Sequence, residues 1–593
     1  MKTPRARELD PQKTQSDCIL FRALHSGEAA RAGFDMMMPL LWTRAMQIWT
    51  QNYDPLGNAA LSTAAAAIPV TVLFYLLAVR KIKAHLAALW ALIAAMAVAA
   101  LIFRMPVHMV AGAAAHGAVY ASLWIAWVVV GAVFVYDLTV QSGHFETIKG
   151  SIGAITDDRR VQMLLIAFCF GAVLEGAGGG GAPVAVTAAM MIGLGFRPFE
   201  TAIVCLMANT APVAWGGMGN PVRALAAVTG LPESDLSATM GRILPPVAAL
   251  LPFYLVRTMV GWRETFQVWP ACLAAGLSFG GIQFLWSNYV DPNLVDIMSG
   301  MGAILFCAVF FKYWKPKQEF HFPEERDKPK PEKRKYRASE VVHAWSPFAL
   351  IALFVVAWGI PAVKTLISQT SYKAPVPGLH QMVLRTAPVV EKDVLDTAIL
   401  SVDWLASVGT ATVLAGLVAG PVLGLSMGTT LRVFRGTMFR MRFSFLAILC
   451  MICMAYVMRY CGMDAVLGLA MTHTGVLYPV FGTFIGWIGV ALSGTDAGSN
   501  ALFGNLQVVT ATKLGLDPVL MAAANSTGGV MGKMVAAQSL IIACVAAGIE
   551  GKEGDLFRAV ARHGLALALV IGLLVMLYAY VLPGVVAHNH RFW

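Results

Sequence analysis

The sequence predicts an all-α polytopic membrane protein. It has about 12 crossings plus two re-entrant hairpins (12–14 helices), arranged as an inverted-topology repeat with broken helices. Three observations predict this. The 593 residues are 58% hydrophobic and 13% charged, where soluble domains carry ~25% charged residues, and the mean hydropathy is +0.67. The charges cluster, 12 in residues 1–44 and 16 in residues 312–340, leaving uncharged runs at 59–79, 105–136, 265–290, 404–431 and 565–582. A spanning helix needs ~20 apolar residues. Third, two similar regions rich in Gly, Pro and Asn interrupt runs of membrane length. Too little polar surface exists to coat several soluble domains, which excludes a soluble enzyme, a disordered protein and a nucleic-acid binder. The net charge of +11 is that of loops facing anionic headgroups, so the lipid bilayer is the expected partner.

Along the chain, residues 1–45 form an N-terminal extension of mixed charge with no apolar core of a secretory signal. We expect it to be dispensable, or not translated. The run 59–79 is followed by Arg80, Lys81 and Lys83, which places that loop in the cytoplasm. Residues 85–103 then lead outward and 121–140 inward. The loop 312–340 has ten Lys/Arg against six acids, and 426–442 holds Arg432, Arg435, Arg440 and Arg442 with no acid. Both are expected inside. The segment 368–400, with three bases and three acids, suits an outer loop, and spans 344–366 and 401–424 join it to its neighbours. The chain thus divides into a first transmembrane half (46–311), a cytoplasmic charged loop (312–340) and a second transmembrane half (341–593).

Regions 161–227 and 476–550 do not read as simple helices. The first breaks at Gly176–Pro183 and again from Asn209 to Pro221; the second breaks from Ser493 to Asn500 and from Asn525 to Gly529. Gly176 and Asn209 are 33 residues apart, Gly494 and Asn525 are 31 apart, and each interval contains L-G-x-x-P. Loop parity is satisfied by a hairpin (161–196) plus a broken crossing (199–227). It is satisfied again, in the opposite orientation, by a hairpin (476–514) plus a broken crossing (518–550). Irregular backbone at membrane depth is tolerated around a protein-lined cavity, and paired interruptions in inverted halves mark a transport site at the midplane.

Gly176, Gly178 and Gly181 spell GxGxxG, but a dinucleotide site needs a strand and a soluble βαβ unit, and these flanks are apolar. Met531–Met534 lacks the leading Gly and the Ser/Thr of a P-loop. Cys450 and Cys453 lie in an apolar run, read as packing thiols rather than a redox or metal pair. No cofactor and no metal is expected. Ionisable residues within spans carry roughly 2.5–3.5 kcal/mol of insertion penalty each and point to function; here they are Glu175, Asp403, Asp496 and Lys533. Asp403 reads equally well as an interfacial helix cap. His116 and His473 read as packing or interface residues. Gly176, Gly178 and Gly181 let backbone approach a small anion. Asn209, Thr210, Thr495, Ser499, Asn500, Asn525, Ser526 and Thr527 supply neutral hydrogen bonds. Lys533 supplies positive charge. Asp496 and Glu175 are the groups to take up and release a proton in a desolvated setting. Asp496 and Lys533 are expected either to pair or to bracket the substrate.

The strings FGAVLEGAGGGGAPVAVTAAMMIGLGF, NTAPVAWGGMG, SGTDAGSNALF and AANSTGGVMGKM resemble the bacterial L-lactate permease family, as does MQIWTQNYDP from Met46. The resemblance spans residues 46–583. It implies no enzyme but a secondary transporter of lactate, and of glycolate, with a proton across the bacterial cytoplasmic membrane. Three departures stand out: Gly180 where the family usually has an aromatic residue, Asn220 where an apolar one is usual, and Ala537 where Pro is common. They imply a smaller, more polar site. A sodium-coupled or exchange carrier for another small carboxylate stays open, and so does a homo-oligomer. A polytopic membrane enzyme is the remote alternative, since no clustered His, Asp and Glu stand near one interface.

Overall fold

A computed structural model describes residues 48–588 except Lys81, Gly180, Gly181, 324–335 and Glu391. The expected extension at 1–45 and the candidate Gly181 lie outside the described residues.

The uncharged runs become helices because Ala, Leu, Val and Met dominate them, and some of the starts are capped. In the first half these are α1 (Ala59–Phe74), α2 (Ala84–Leu101), α3 (Val107–Gln141), α4 (His144–Gly153), α5 (Arg159–Gly178), α6 (Ala182–Gly193), α7 (Pro198–Ala208), α8 (Gly216–Thr229), α9 (Glu233–Val260), α10 (Trp269–Tyr289) and α11 (Val295–Tyr313). The second half has α12 (Ala338–Gly359), α13 (Val408–Val422), α14 (Met427–Cys461), α15 (Met463–Met471), α16 (Tyr478–Ser493), α17 (Asp496–Leu514), α18 (Pro518–Gly532), α19 (Ala537–Ala547) and α20 (Glu553–Tyr580). Asn58, Ser426 and Asp517 cap α1, α14 and α18 by accepting backbone N–H groups of the first turn. Among the described residues, ten helices are long and apolar enough to span a bilayer, or up to 12 if each of two bent pairs counts as one span.

The charge-balanced segment 368–400 carries short strands that the sequence reading did not separate from loop. Strand β1 (Trp49–Thr50) pairs parallel with β3 (Val383–Arg385), β3 pairs antiparallel with β4 (Val394–Leu395), and β2 (Tyr372–Pro375) pairs antiparallel with β5 (Ile399–Val402). Gln51 fastens this edge to the end of α14 by donating to the carbonyls of Arg459 and Tyr460 at 3.0 and 2.9 Å.

Both irregular regions have the hairpin-plus-broken-helix form. Helices α5 and α6 turn at Gly179, and α16 and α17 turn at Gly494; both glycines have positive φ, +58° and +80°. The α7–α8 pair is bent by 57° and the α18–α19 pair by 42°. The halves interlock, because α8 packs along α17 and α19 packs along α6. The second half of each broken helix therefore lies on the returning arm of the other repeat's hairpin.

The second break is not where the glycines suggested. Asn525–Gly529 stays inside α18, and the chain opens at Lys533–Ala536. Gly528 and Gly529 serve close packing instead. A Cβ on Gly528 would lie 2.1 Å from the Thr483 carbonyl oxygen, and one on the facing Gly486 of α16 would lie 1.9 Å from that of Asn525. The first break does lie at Asn209–Trp215. It continues into three left-handed residues, Gly217 (φ +55°), Met218 (φ +58°) and Gly219 (φ +73°). Met218 is strained there as a non-glycine residue. Arg223, 3% exposed, holds this turn by donating to the Met218 carbonyl and the Asn293 side chain.

Candidate functional site

Both hairpin turns and both helix breaks open onto one cavity of about 290 Å³. The first repeat contributes Glu175, Gly178, Gly179, Gly216, Gly217 and Asn220; the second contributes Ser493, Thr495, Asp496, Gly498, Lys533 and Gln538. Ile125 and Val129 of α3 and the stretch from Met441 to Ile452 of α14 complete the wall. The mouth is formed by the exposed Ala84, Phe443 and Ser444, next in sequence to Lys83 and Arg442. At the bottom, Asp496, Glu175 and Lys533 are only 2%, 3% and 5% exposed.

Three helix N-termini converge here. Helix α17 begins at Asp496, and its cap Thr495 accepts the Gly498 N–H at 3.1 Å. Helix α19 begins at Ala537 with no side-chain cap, and the regular turns of α8 begin at Asn220, after the left-handed Gly217, Met218 and Gly219. Uncapped N–H groups and the positive end of the helix dipole favour an anion. Lys533 adds a full positive charge. Its Nζ donates to the Gly494 carbonyl at 2.9 Å, so the ammonium is tied to the hairpin turn of its own repeat.

Of the two arrangements expected for Asp496 and Lys533, direct pairing is not the one found. Asp496 Oδ2 accepts from the Ser526 hydroxyl at 2.5 Å and the Asn500 amide at 3.4 Å. Among the described residues its Oδ1 has no hydrogen-bond partner, nor does Glu175 Oε2. Lys533 lies within electrostatic reach of both carboxyls. Glu175 is wedged in place, since a Cβ on Gly216 would lie 2.7 Å from its Oε1.

The remaining sequence candidates form a layer behind the cavity wall. Asn500 donates to the Pro221 carbonyl at 3.1 Å, Asn525 donates to Asn500 Oδ1 at 2.9 Å, and Gln507 donates to Asn525 Oδ1 at 3.1 Å. Ser499 binds the Gly486 carbonyl at 3.1 Å. Thr210 and Thr527 return their hydroxyls to Met207 and Ala524 of their own helices. Asn209 is buried beside Glu175, its amide directed at that carboxyl outside strict hydrogen-bond geometry. Gly176 faces away, against Asp296 and Ile297. Asp403 and His116 line a separate cavity of about 310 Å³ with Tyr120 and Tyr456. His473 is exposed.

Cavity residues that the sequence reading did not assign to the site include Asn220, Gln538, Gly179, Gly216, Gly217, Ser493 and Gly498. The signal for two of them was present: Asn220 is itself a departure from the family pattern, and Gln538 follows another at Ala537. Among the described residues no group of three or more His, Cys, Asp or Glu is placed to hold a metal ion. One ammonium, three helix N-termini and two incompletely bonded carboxyls can together bind a small anion and exchange protons beside it.

The L-lactate permease family profile matches residues 62–582. The glycolate permease GlcA of Escherichia coli (strain K12) is 41% identical over 556 residues, covering 91% of this chain and 99% of that protein. The L-lactate permease of Salmonella typhimurium is 40% identical over 546 residues, covering 91% and 99%. That of Bacillus subtilis (strain 168) is 39% identical over 562 residues, covering 90% and 99%. Among solved structures, Neisseria gonorrhoeae MtrF aligns at TM-score 0.36 and 13% identity over 77% of this chain and 81% of that one.

Proposed function

The chain belongs to the L-lactate permease family, and on that premise we propose that it takes up L-lactate and glycolate together with a proton. It is a multi-pass transporter of the bacterial cytoplasmic membrane and not an enzyme. The observation that carries the substrate reading is the single 290 Å³ cavity where both repeats' breaks meet around Lys533, Asp496 and Glu175. Its volume is at the lower end of ligand pockets, roughly 300–1,000 Å³, and is equivalent to about ten waters at ~30 Å³ each. A three-carbon hydroxy acid fits with solvent to spare.

In this reading the substrate carboxylate accepts from Lys533 and from the N-termini of α8 and α19. Its 2-hydroxyl meets Thr495, Asn220 or Gln538. Lys533 then exchanges the Gly494 carbonyl for a charged acceptor, which is the stronger partner. Asp496 loads the coupling proton through Oδ1, the oxygen left free by Ser526 and Asn500, and Glu175 is the second acid. Two unprotonated carboxylates beside the substrate would repel it, so protonation and anion binding favour each other. The mouth lies beside the basic loops assigned to the cytoplasm, which supports an inward-open state.

The test is purified protein in liposomes with labelled L-lactate or glycolate, and pH and sodium gradients imposed separately. Accumulation driven by the pH gradient alone is the expected result. Accumulation that needs sodium would replace this reading with the sodium-coupled one.

A further inference from the structure

Asp296 is a carboxyl with no explanation in the fold. It stands in the first turn of α11, after the cap residue Leu294, and is 1% exposed. An acid in that position ordinarily accepts first-turn N–H groups. Here neither oxygen has a hydrogen-bond partner. No ion pair to it forms among the described residues. The start of α11 instead presses on the turn of the first hairpin, where a Cβ on Gly176 would lie 2.8 Å from the Asp296 Cβ and 2.9 Å from the Ile297 nitrogen. Gly176 directly follows Glu175, and Asp296 lies within electrostatic reach of that carboxyl.

The charged groups around the two acids are few. On α8, Arg223 is committed to the Met218 carbonyl and Asn293. Helix α10 carries no charged residue. Lys533 and Asp496 face Glu175 from the cavity side. Glu175 therefore has one face in the cavity, and Asp296 is walled off behind it. Lys533 can compensate Glu175, but Asp296 has neither a counter-ion nor a donor among the described residues, so the two neighbouring carboxylates cannot both stay ionised in a dry interior.

We propose that Asp296 and Glu175 share one proton, and that Asp296 is the station that keeps it while ionised Glu175 faces Lys533. The transfer is a simple exchange: the Glu175 carboxyl gives its proton to the Asp296 carboxylate, and the return step restores it. The pair then titrates as one unit. Asp296 acts through Glu175 and does not touch the substrate, so it is a positioning residue for the proton.

This inference rests on the proton-coupled reading, and two readouts keep the two apart. The first is the infrared band of protonated carboxyl groups in purified protein. Asp296→Asn and the double variant should lose the same single increment and Glu175→Gln should keep it, because the one proton rests on Asp296 while Glu175 faces Lys533. A double variant that loses twice the single increment, or an Asp296→Asn spectrum identical to the wild type, overturns the pair. The second is transport in liposomes. Asp296→Asn should lower pH-driven accumulation at least tenfold more than it lowers lactate exchange, and Asp296→Glu should restore most of the difference. Equal loss of both activities, without rescue by Glu, marks Asp296 as structural and also overturns the proposal. Wild-type protein that fails to accumulate lactate under a pH gradient, yet shows the shared band increment, would refute the coupling reading alone.

Discussion

Replacing Gly216 by alanine puts a methyl group where Glu175 now lies. Gly216 has φ −54° and ψ 149°, a conformation open to any residue, so the backbone is not strained by the change. The effect is steric. The new Cβ would stand 2.7 Å from Glu175 Oε1, 3.2 Å from its Cγ and 3.3 Å from its Cδ. Comfortable contacts begin near 3.5 Å, so the carboxyl must retreat by roughly 0.5–1 Å. Overpacking of this kind usually costs about 1–3 kcal/mol, which is about 5–150-fold in an equilibrium. We predict a loss in that range in pH-driven lactate accumulation, with thermal stability in detergent less affected because Gly216 borders a cavity. Glu175→Asp shortens the side chain by one methylene, so it should recover part of the loss in the Gly216→Ala background while harming the parent. Uptake measured in all four combinations decides. A Gly216→Ala protein within twofold of the parent, or a double variant showing the simple product of the two losses, would refute the placement of Glu175.

Gly528→Ala drives a methyl to 2.1 Å from the Thr483 carbonyl oxygen, a backbone atom that cannot swing aside, so thermal unfolding should show destabilisation of at least about 1–3 kcal/mol. Arg223→Gln removes charged hydrogen bonds to Met218 and Asn293; about 1.5–3 kcal/mol per bond is at stake, and limited proteolysis together with a lower melting temperature should report the loosened turn at Gly217–Gly219. Lys533→Ala removes the only lysine or arginine lining the cavity among the described residues. One charged hydrogen bond of about 1.5–3 kcal/mol translates to lactate binding weaker by roughly 10–150-fold, measurable by calorimetry, and an unchanged affinity would remove Lys533 from the site.

Much of the architecture is legible in the sequence because a bilayer penalises charge so heavily that spans and loops separate by composition. The first break announces itself through Asn209, Pro212 and three glycines. The second is hidden because glycine has two uses at membrane depth. At Gly217 and Gly219 it allows left-handed backbone, whereas at Gly486 and Gly528 it lets two helices approach, and a paired glycine beside Asn looks alike in both cases. The true opening at Lys533–Ala536 contains no Gly, Pro or Asn and is set by tertiary packing. Site residues divide in the same manner. Charges inside spans mark Glu175, Asp496 and Lys533, while Asn220 and Gln538 reach the cavity only through the helix bends. Asp296 is 121 positions from Glu175 in the chain, and no local pattern links them. The polar run Asn525–Thr527 looks like substrate-facing chemistry; in the fold Asn525 and Ser526 hold Asn500 and Asp496, and Thr527 turns back to its own helix.

The measurement that bears most directly on coupled transport is the internal pH of liposomes as lactate flows in down its own gradient, with the membrane potential clamped. Wild-type protein should acidify the interior in proportion to lactate entry, about one proton per lactate above the leak of protein-free liposomes. Asp496→Asn should carry lactate with little acidification. Lactate entry through the wild type with no accompanying acidification, or equal acidification through Asp496→Asn, would contradict a proton carried at Asp496.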